Sequence, residues 1–190
     1  MPAVCVYCAS NPQIPGRYVE LAAHVGQEIA SRQWSLVSGG GSESMMGAVA
    51  RATRLGGGRT IGVIPQALIE YEVADHDSDE LIVTSTMRER KAIMDDRADA
   101  FLALPGGIGT LEELMEVWTS RHLRMHTKPV VVLDPWGDFD LLRAQVEHWQ
   151  KLGFVKEHAV AELLWTTSVH EACDAIQHSW TSTASVPHSG

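Results

Sequence analysis

The stretch Phe101–Leu114 reads FLALPGGIGTLEEL and sets a pattern that recurs along the chain. Its first four residues, Phe101–Leu104, form a short apolar run typical of a strand buried in a parallel sheet. A glycine-rich turn, Pro105–Thr110, comes next, and the apolar residues that follow recur at helical spacing, as at Leu111 and Leu114. The stretch therefore predicts a strand, a tight turn and a helix in direct succession.

The same alternation of apolar runs and helix-period segments extends along the chain. The predicted strands are Ala3–Tyr7, Trp34–Val37, Thr60–Ile64, Leu81–Thr84, Phe101–Leu104, Val130–Leu133 and Leu163–Thr166. The predicted helices cover residues 18–29, 45–52, 89–98, 111–123, 139–152 and 169–180. Near-continuous apolar strands separated by helices are typical of a parallel sheet covered on both faces. We therefore expect an α/β fold with a single doubly wound, Rossmann-like parallel sheet and helices on both faces.

Length and composition fit one domain. The chain has 190 residues, of which 45% are hydrophobic, and this suffices for a sizeable core. We assign residues 1–180 to one Rossmann-like domain and expect residues 181–190, rich in Ser, Thr and His, to form a disordered tail. No segment has the roughly 20 apolar residues of a membrane span, and no secretory signal precedes the first strand. The expected location is the cytoplasm.

Charge and cysteine content exclude several classes of partner. The net charge of -9 argues against broad docking on nucleic acid or on an anionic membrane. Three cysteines suit a reducing compartment. Cys5 and Cys8 have the C-x-x-C spacing, but residues three apart on a strand point to opposite faces. Neither a redox pair nor a metal clamp is therefore expected.

Two glycine-rich turns, Ser38–Ser42 and Pro105–Thr110, follow predicted strands. Parallel sheets bind ligands beyond the carboxyl ends of their strands. Glycine lets the backbone approach a ligand, and the next helix offers unpaired N–H groups and the positive end of its dipole. Such turns also simply close β–α connections, but two of them favour a bound phosphate. Neither turn reads G-x-G-x-x-G or carries a P-loop lysine, which disfavours an NAD dehydrogenase and an NTPase.

The helix after the second turn begins with Thr110-Leu111-Glu112-Glu113. This T-x-x-E spacing is that of a capping box, in which Glu113 would only satisfy the Thr110 N–H group. A carboxylate one helical turn from a phosphate is also placed to face a sugar. The sequence supports both interpretations equally, and they are compatible.

A basic segment, Met87–Lys91, opens the helix that precedes the PGG strand. Arginine offers a planar fork for a phosphate or carboxylate, and lysine a point charge. Arg90 and Lys91 point about 100° apart on a helix, so we expect one of them to face the pocket more squarely. Taken alone, the segment favours a solvated basic face, with Glu89 pairing locally.

Together these segments resemble the LOG (Lonely guy) family of cytokinin riboside 5′-monophosphate phosphoribohydrolases. The resemblance covers roughly Val4 to Trp165 and is carried by P-G-G-x-G-T-x-x-E at Pro105–Glu113 with the upstream E-R-K at Glu89–Lys91. It implies hydrolysis of the N-glycosidic bond of adenine-type nucleoside 5′-monophosphates, AMP included, to the free base and ribose 5-phosphate. It also implies a homodimer and neither a metal nor a redox cofactor.

The resemblance further implies the site residues. Arg90 and Glu113 match the catalytic pair of the family. The implied substrate-binding residues are Glu72, Arg90, Lys91, Gly107, Ile108, Gly109, Thr110, Leu111, Glu112, Glu113 and Thr119. The first glycine turn departs from the family pattern, because Ser44 replaces a glycine and Glu43 adds a carboxylate nearby.

The sequence leaves two other functions open, a non-catalytic AMP-binding module and a broader nucleoside monophosphate hydrolase. Lysine decarboxylation, the activity in older descriptions of such sequences, is disfavoured. That chemistry generally needs pyridoxal phosphate bound to a lysine, and Lys91 has no recognisable pyridoxal context. Met87, Met94 and Met125 are candidates for the walls around the base, although methionines more often fill a core.

Overall fold

The structure, a computed structural model, describes residues 1–69 and 73–184. Within these residues seven parallel strands form one sheet in the order β4-β3-β2-β1-β5-β6-β7. The strands are β1 (Ala3–Tyr7), β2 (Ser35–Ser38), β3 (Thr60–Pro65), β4 (Glu80–Thr84), β5 (Ala100–Ala103), β6 (Val130–Leu133) and β7 (Leu163–Thr166). The expected doubly wound α/β fold is confirmed.

Helices connect the strands and cover both faces of the sheet. They are α1 (Gly16–Ser31), α2 (Ser44–Leu55), α3 (Met87–Arg97), α4 (Ile108–His122), α5 (Asp140–Lys151), α6 (Glu157–Ala161) and α7 (Val169–Ala184), with a short 3₁₀ turn at Gln66–Leu68. Buried residues of α1, α2 and α7 pack on one face, and those of α3, α4 and α5 pack on the other. No helix among the described residues is long and apolar enough to cross a membrane.

Strand β1 shows how the sequence builds both layers. Val4 and Val6 lie in the core beneath α1 and α2, whereas Cys5 and Tyr7 lie in the core beneath α3 and α4. Cys8, just after the strand, packs with the first of these layers. Cys5 and Cys8 therefore belong to opposite sides of the sheet, as their spacing predicts, and both are free thiols.

The order of the strands creates a gap for a ligand. From β1 the chain winds outward through β2 to β4 and then returns to β5 on the other side of β1. The helix after β1 packs on one face, and the helix after β5 packs on the opposite face. The connections diverge between β1 and β5, which makes this position the switch point of the sheet.

The C-terminal boundary differs from the sequence prediction. Helix α7 extends to Ala184, so the first four residues of the expected tail are helical. The hydroxyl groups of Thr181 and Ser182 both donate to the carbonyl oxygen of His178 within this last part of the helix. Residues 185–190 lie outside the described part of the chain.

Candidate active site

A cavity of about 250 Å³ opens at the carboxyl ends of β1, β2 and β5, at the switch point. Its lining residues are Val6, Cys8, Ala9, Ser10, Asn11, Gly39, Met46, Arg90, Met94, Gly107, Ile108, Gly109, Thr110 and Glu113. A second hollow of about 380 Å³ shares Ala9, Asn11 and Gly107 with it. The two adjoining hollows together offer space for a ligand of nucleotide size.

The second glycine turn forms one wall of the cavity. Gly107 is the N-cap of α4, with extended backbone, and no side chain caps the helix. A Cβ atom added at Gly107 or Gly109 would meet nothing within 4 Å. The N–H groups of the first helical turn have no partner within the helix, and the helix dipole makes this end positive. The turn therefore presents a binding surface for an anion such as a phosphate.

The capping-box interpretation of Thr110 and Glu113 is wrong. Helix α4 begins at Ile108, so Thr110 already lies inside the first turn instead of preceding the helix. Its buried side chain packs against Gly106, where an added Cβ atom would lie 2.1 Å from Thr110 Oγ1. The extended backbone of Gly107 lets the helix start early, so the T-x-x-E spacing spans one turn within it. Glu113 lines the cavity.

Arg90 is buried, with 6% of its surface exposed, although the segment alone favours a solvated face. Its Nε donates to Val63 O at 3.1 Å, and its Nη2 donates to Gly39 O at 3.2 Å. Its Nη1 lies 3.8 Å from Glu113 Oε1. A guanidinium can be buried here because two carbonyl oxygens and one carboxylate compensate for lost hydration. The structure thus brings the two predicted catalytic residues together in one cavity.

Lys91 points away from the cavity, as the 100° step between neighbouring helical residues allows. Its Nζ forms ion pairs with Glu112 and Glu116 of α4. The hydrogen bond to Glu112 and then the one to Glu116 raise the pKa of Lys91 above its ordinary value. Lys91 and Glu112 therefore join α3 to α4 beside the site in the described structure.

A side-chain cap opens α3. Thr86 is the N-cap, and its hydroxyl accepts a hydrogen bond from Glu89 N at 3.1 Å. Glu89 Oε2 accepts from Ser85 N and from Ser85 Oγ, and these bonds lower the pKa of Glu89. The expected pairing of Glu89 with a neighbouring base is therefore replaced by a helix cap, which fixes the start of the helix that carries Arg90.

The first glycine turn contributes little to the wall of the cavity. Of Ser38–Ser42, only Gly39 lines the cavity. Gly40 O accepts a hydrogen bond from Asp75 N, Gly41 bridges to Ala74, and Ser42 N donates to Val73 O. These bonds hold the turn against the segment that follows β3, so most of its backbone is used within the protein.

Several residues implied by the resemblance do not line the cavity. Leu111 packs against the buried core under α4. Thr119 is exposed on α4, eleven residues beyond Ile108 and hence about 16 Å along the helix axis. Glu72 lies outside the described residues. Among the methionines, Met94 lines the cavity and Met125 is exposed.

Sequence reasoning missed the loop after β1, which supplies Cys8, Ala9, Ser10 and Asn11 to the cavity. A usable signal existed, because the first strand of a doubly wound sheet lies at its centre and its following loop borders the switch point. Ser44 Oγ donates to Asn11 O at 2.7 Å and ties this loop to α2. Ser44 itself has a φ of 51°, a left-handed conformation that explains why a glycine is common at this position.

Comparison with known proteins gives relatives over most of the chain. The profile of the family described as "Possible lysine decarboxylase" matches residues 46–176, a range that includes Arg90, the second glycine turn and Glu113. A cytokinin riboside 5′-monophosphate phosphoribohydrolase from Mycobacterium marinum is 53% identical over 172 residues, which cover 90% of this chain and 91% of the relative. The protein of the same name from Mycobacterium tuberculosis is 54% identical with the same coverage.

Solved structures give a similar fold. The molybdenum cofactor binding protein from the phototrophic bacterium Rippkaea orientalis superposes with a TM-score of 0.71 and 25% sequence identity. The match covers 93% of this chain and 96% of that chain. The arrangement of strands and helices is therefore shared with a protein that is named for binding a ligand.

Proposed function

Since the chain belongs to the LOG family, whose profile carries the description "Possible lysine decarboxylase", we propose that it hydrolyses the N-glycosidic bond of adenine-type nucleoside 5′-monophosphates. The substrates are cytokinin riboside 5′-monophosphates and AMP, and the products are the free base and ribose 5-phosphate. Release of the free base from the cytokinin nucleotide is the step that activates the cytokinin. The names of the mycobacterial relatives support a hydrolase over a non-catalytic AMP-binding module.

One observation carries the proposal. A helix N-terminus open to an anion, the carboxylate of Glu113 and the guanidinium of Arg90 line the same cavity. Glu113 lies three residues, about 4.5 Å of rise, beyond Thr110 at the end of the second turn. A phosphate bound at Gly107–Thr110 would thus place the ribose over Glu113. Such positioning can lower a barrier by roughly 7–11 kcal/mol when the geometry is good.

Glu113 is proposed as the catalytic carboxylate. Cleavage of the bond between C1′ and the base builds positive charge on the ribose. A carboxylate beside C1′ stabilises that charge, and it accepts a proton from the attacking water. The water oxygen forms the new bond to C1′ while the bonding electron pair leaves with the base. The base takes up a proton from solvent, and Glu113 returns its proton to solvent, so that the carboxylate is restored.

Arg90 is proposed to act by its charge. A guanidinium scarcely deprotonates, so it is a poor general acid. At 3.8 Å from Glu113, its positive charge favours the ionised carboxylate. The same charge stabilises the electron pair that builds up on the departing base. Glu72, Lys91, Leu111, Glu112 and Thr119 remain predicted substrate-binding residues from the resemblance.

Lys91 speaks against lysine decarboxylation. A lysine that forms a Schiff base must be neutral, which a lowered pKa favours, whereas Glu112 and Glu116 raise the pKa of Lys91. Its Nζ is held outside the cavity by the same two carboxylates. No lysine of the described residues lines the cavity.

The test is incubation of the protein with AMP and with isopentenyladenosine monophosphate, followed by chromatography of free base and ribose 5-phosphate. The proposal predicts both products in equal amounts from each nucleotide. Binding of AMP without release from either nucleotide would instead identify a binding module. Comparable release from UMP and CMP would identify a broader nucleoside monophosphate hydrolase.

We also infer a cytoplasmic homodimer. The exposed apolar side chain of Ile108 lines the cavity, and that of Met87 is exposed beside Arg90 with its Sδ 4.0 Å from Nη1, and a second copy would cover both. Light scattering coupled to size-exclusion chromatography should give about twice the 20.8 kDa chain mass. A mass of one chain at micromolar concentration would contradict the dimer.

A further inference from the structure

The direction of the Arg90 guanidinium is set by two strands of the sheet. Its Nε donates to Val63 O on β3, and its Nη2 donates to Gly39 O just after β2. Both acceptors are neutral carbonyl oxygens, so they orient the guanidinium without cancelling its charge. The Nη1 group is left on the side of Glu113 and Met87, at 3.8 Å from Glu113 Oε1 and 4.0 Å from Met87 Sδ.

Position 39 leaves no room for a side chain, so glycine is required there. A Cβ atom at Gly39 would lie 1.9 Å from Arg90 Nη2, 3.1 Å from Arg90 Cζ and 3.0 Å from Met46 Sδ. The backbone of Gly39 does not have a positive φ, in contrast to that of Gly40 at 77°. Another residue could therefore adopt the backbone of Gly39, but its side chain would occupy the position of the guanidinium.

We propose that Gly39 is a positioning residue that sets Arg90 against Glu113, through its carbonyl oxygen and through its lack of a side chain. This assignment rests on the proposed function, because it takes Arg90 as the cation of the hydrolytic site. It gives the first glycine turn a role other than binding the phosphate of the nucleotide. The turn holds the catalytic cation, and the second turn holds the substrate.

Gly39 acts mainly through Arg90, because the approach of an added Cβ to Arg90 Nη2, 1.9 Å, is far closer than its approach to Met46 Sδ, 3.0 Å. A methyl group at Gly39 displaces the guanidinium from its position 3.8 Å from Glu113 but adds no atom to the second turn or to its N–H groups. The chemical step should therefore suffer, whereas affinity for the phosphate should persist. A displacement of about 1 Å in an active site can lower a rate by roughly a hundredfold.

The experiment is a double-mutant cycle with Gly39→Ala and Arg90→Ala, assayed with AMP. Gly39→Ala should lower kcat about a hundredfold and change the dissociation constant for AMP less than threefold. In the Arg90→Ala background the same glycine substitution should leave kcat unchanged. Gly16→Ala is the matched control, since an added Cβ at Gly16 meets nothing within 4 Å, and it should behave like wild type.

Thermal unfolding provides a readout that does not depend on turnover. Gly39→Ala should lower the midpoint in the wild-type background and lower it much less with Arg90→Ala, because the truncation removes the clashing group. Equal losses of midpoint in both backgrounds would overturn the proposal. So would a further fall of kcat in the Arg90→Ala background, or a loss confined to AMP binding.

Failure of this proposal is distinct from failure of the proposed function. If Arg90→Ala hydrolyses AMP like wild type, Arg90 is not part of the hydrolytic site and the proposed mechanism fails. If Arg90→Ala is impaired while Gly39→Ala retains full turnover, the hydrolytic role of Arg90 stands and only the positioning role of Gly39 is overturned.

Discussion

In the first glycine turn Gly39 faces a buried guanidinium so closely that no Cβ fits, whereas in the second turn Gly107 and Gly109 face open space. In the first turn, backbone carbonyl oxygens accept hydrogen bonds from other parts of the protein, from Arg90 at Gly39 and from Asp75 at Gly40. The second turn opens a helix N-terminus to the cavity. The two glycine-rich turns, which follow the two strands that flank β1, thus have different roles, close packing in one case and access for a ligand in the other.

The largest expected effect is that of a substitution at Glu113, on the helix that follows the second turn. Glu113→Gln should keep the native fold, because Gln has the size of Glu and the two carbonyl oxygens that hold Arg90 remain, and kcat for AMP should fall at least about a hundredfold, since the amide cannot take up a proton. Steady-state kinetics and thermal unfolding check both parts. Glu147→Gln, which alters an exposed carboxylate paired with Arg143 on α5, is the control. Full turnover by Glu113→Gln would remove the residue from the chemistry.

Gly109→Ala tests the second turn itself. The added methyl meets no protein atom within 4 Å, so we expect the stability to be kept or raised by about 0.5–1 kcal/mol, as for other glycines replaced in helices. The methyl stands where the phosphate is proposed to bind, so KM for AMP should rise about tenfold. A loss of folding with unchanged KM would reverse the contrast between the two turns.

The sequence predicted some elements of the fold closely and missed others. The apolar runs defined the sheet, and β1, β6 and β7 have the predicted bounds, because a strand buried on both faces leaves an unambiguous pattern. The short helix α6 was missed. Its five residues, Glu157–Ala161, are too few to show a period, and it is held from outside, where Trp118 Nε1 donates to Ala159 O.

The burial of Arg90 could not be predicted from the residues near it in the sequence. Its acceptors, Gly39 O and Val63 O, lie 51 and 27 residues away in the sequence, and only the order of the strands brings them together. The capping box predicted at Thr110 is wrong, whereas the same T-x-x-E spacing at Thr86–Glu89, for which no cap was predicted, does mark the start of a helix. The T-x-x-E spacing fits either the start or the interior of a helix, and the neighbouring backbone decides which. The resemblance, in contrast, named Arg90 and Glu113 as a catalytic pair, and although their roles stay a prediction, their side chains do lie 3.8 Å apart.

Asp95 on α3, the helix held by the first turn, gives a smaller, pH-dependent effect. Burial raises the pKa of Asp95 to about 6, and the charge of Glu116 adds to this. The ionised form is therefore disfavoured in the folded state, so stability falls as pH rises from about 4 to above 6. Asp95→Asn should raise the free energy of unfolding by about 1 kcal/mol at pH 7.5.

Urea unfolding of both proteins at several pH values measures this effect. The gain from Asp95→Asn should shrink as the pH falls through 6 and vanish near pH 3, below the ordinary pKa of 3.8, where the wild-type carboxyl is largely protonated in both states. A gain that is the same at pH 4 and pH 7.5 would show that the charge of Asp95 is not its cause. Turnover should stay near the wild-type value, since Asp95 does not line the cavity.

The smallest effect concerns the junction between the first turn and α2. Ser44 combines a φ of 51° with a hydrogen bond to Asn11 O. Ser44→Ala and Ser44→Gly both lose that bond, but glycine alone relieves the left-handed backbone. Ser44→Gly should therefore be more stable than Ser44→Ala by about 0.5–1 kcal/mol. Equal stabilities would mean that the backbone at Ser44 carries no strain.

The central claim is that the second turn holds the phosphate while Glu113 acts on the sugar, and the rates of adenine release from AMP and from adenosine test it most directly. The two substrates differ only in the group that the turn is proposed to bind. The account predicts that kcat/KM for AMP exceeds that for adenosine by at least about a hundredfold, the scale of a well-positioned anchor. Equal values for the two substrates would contradict it.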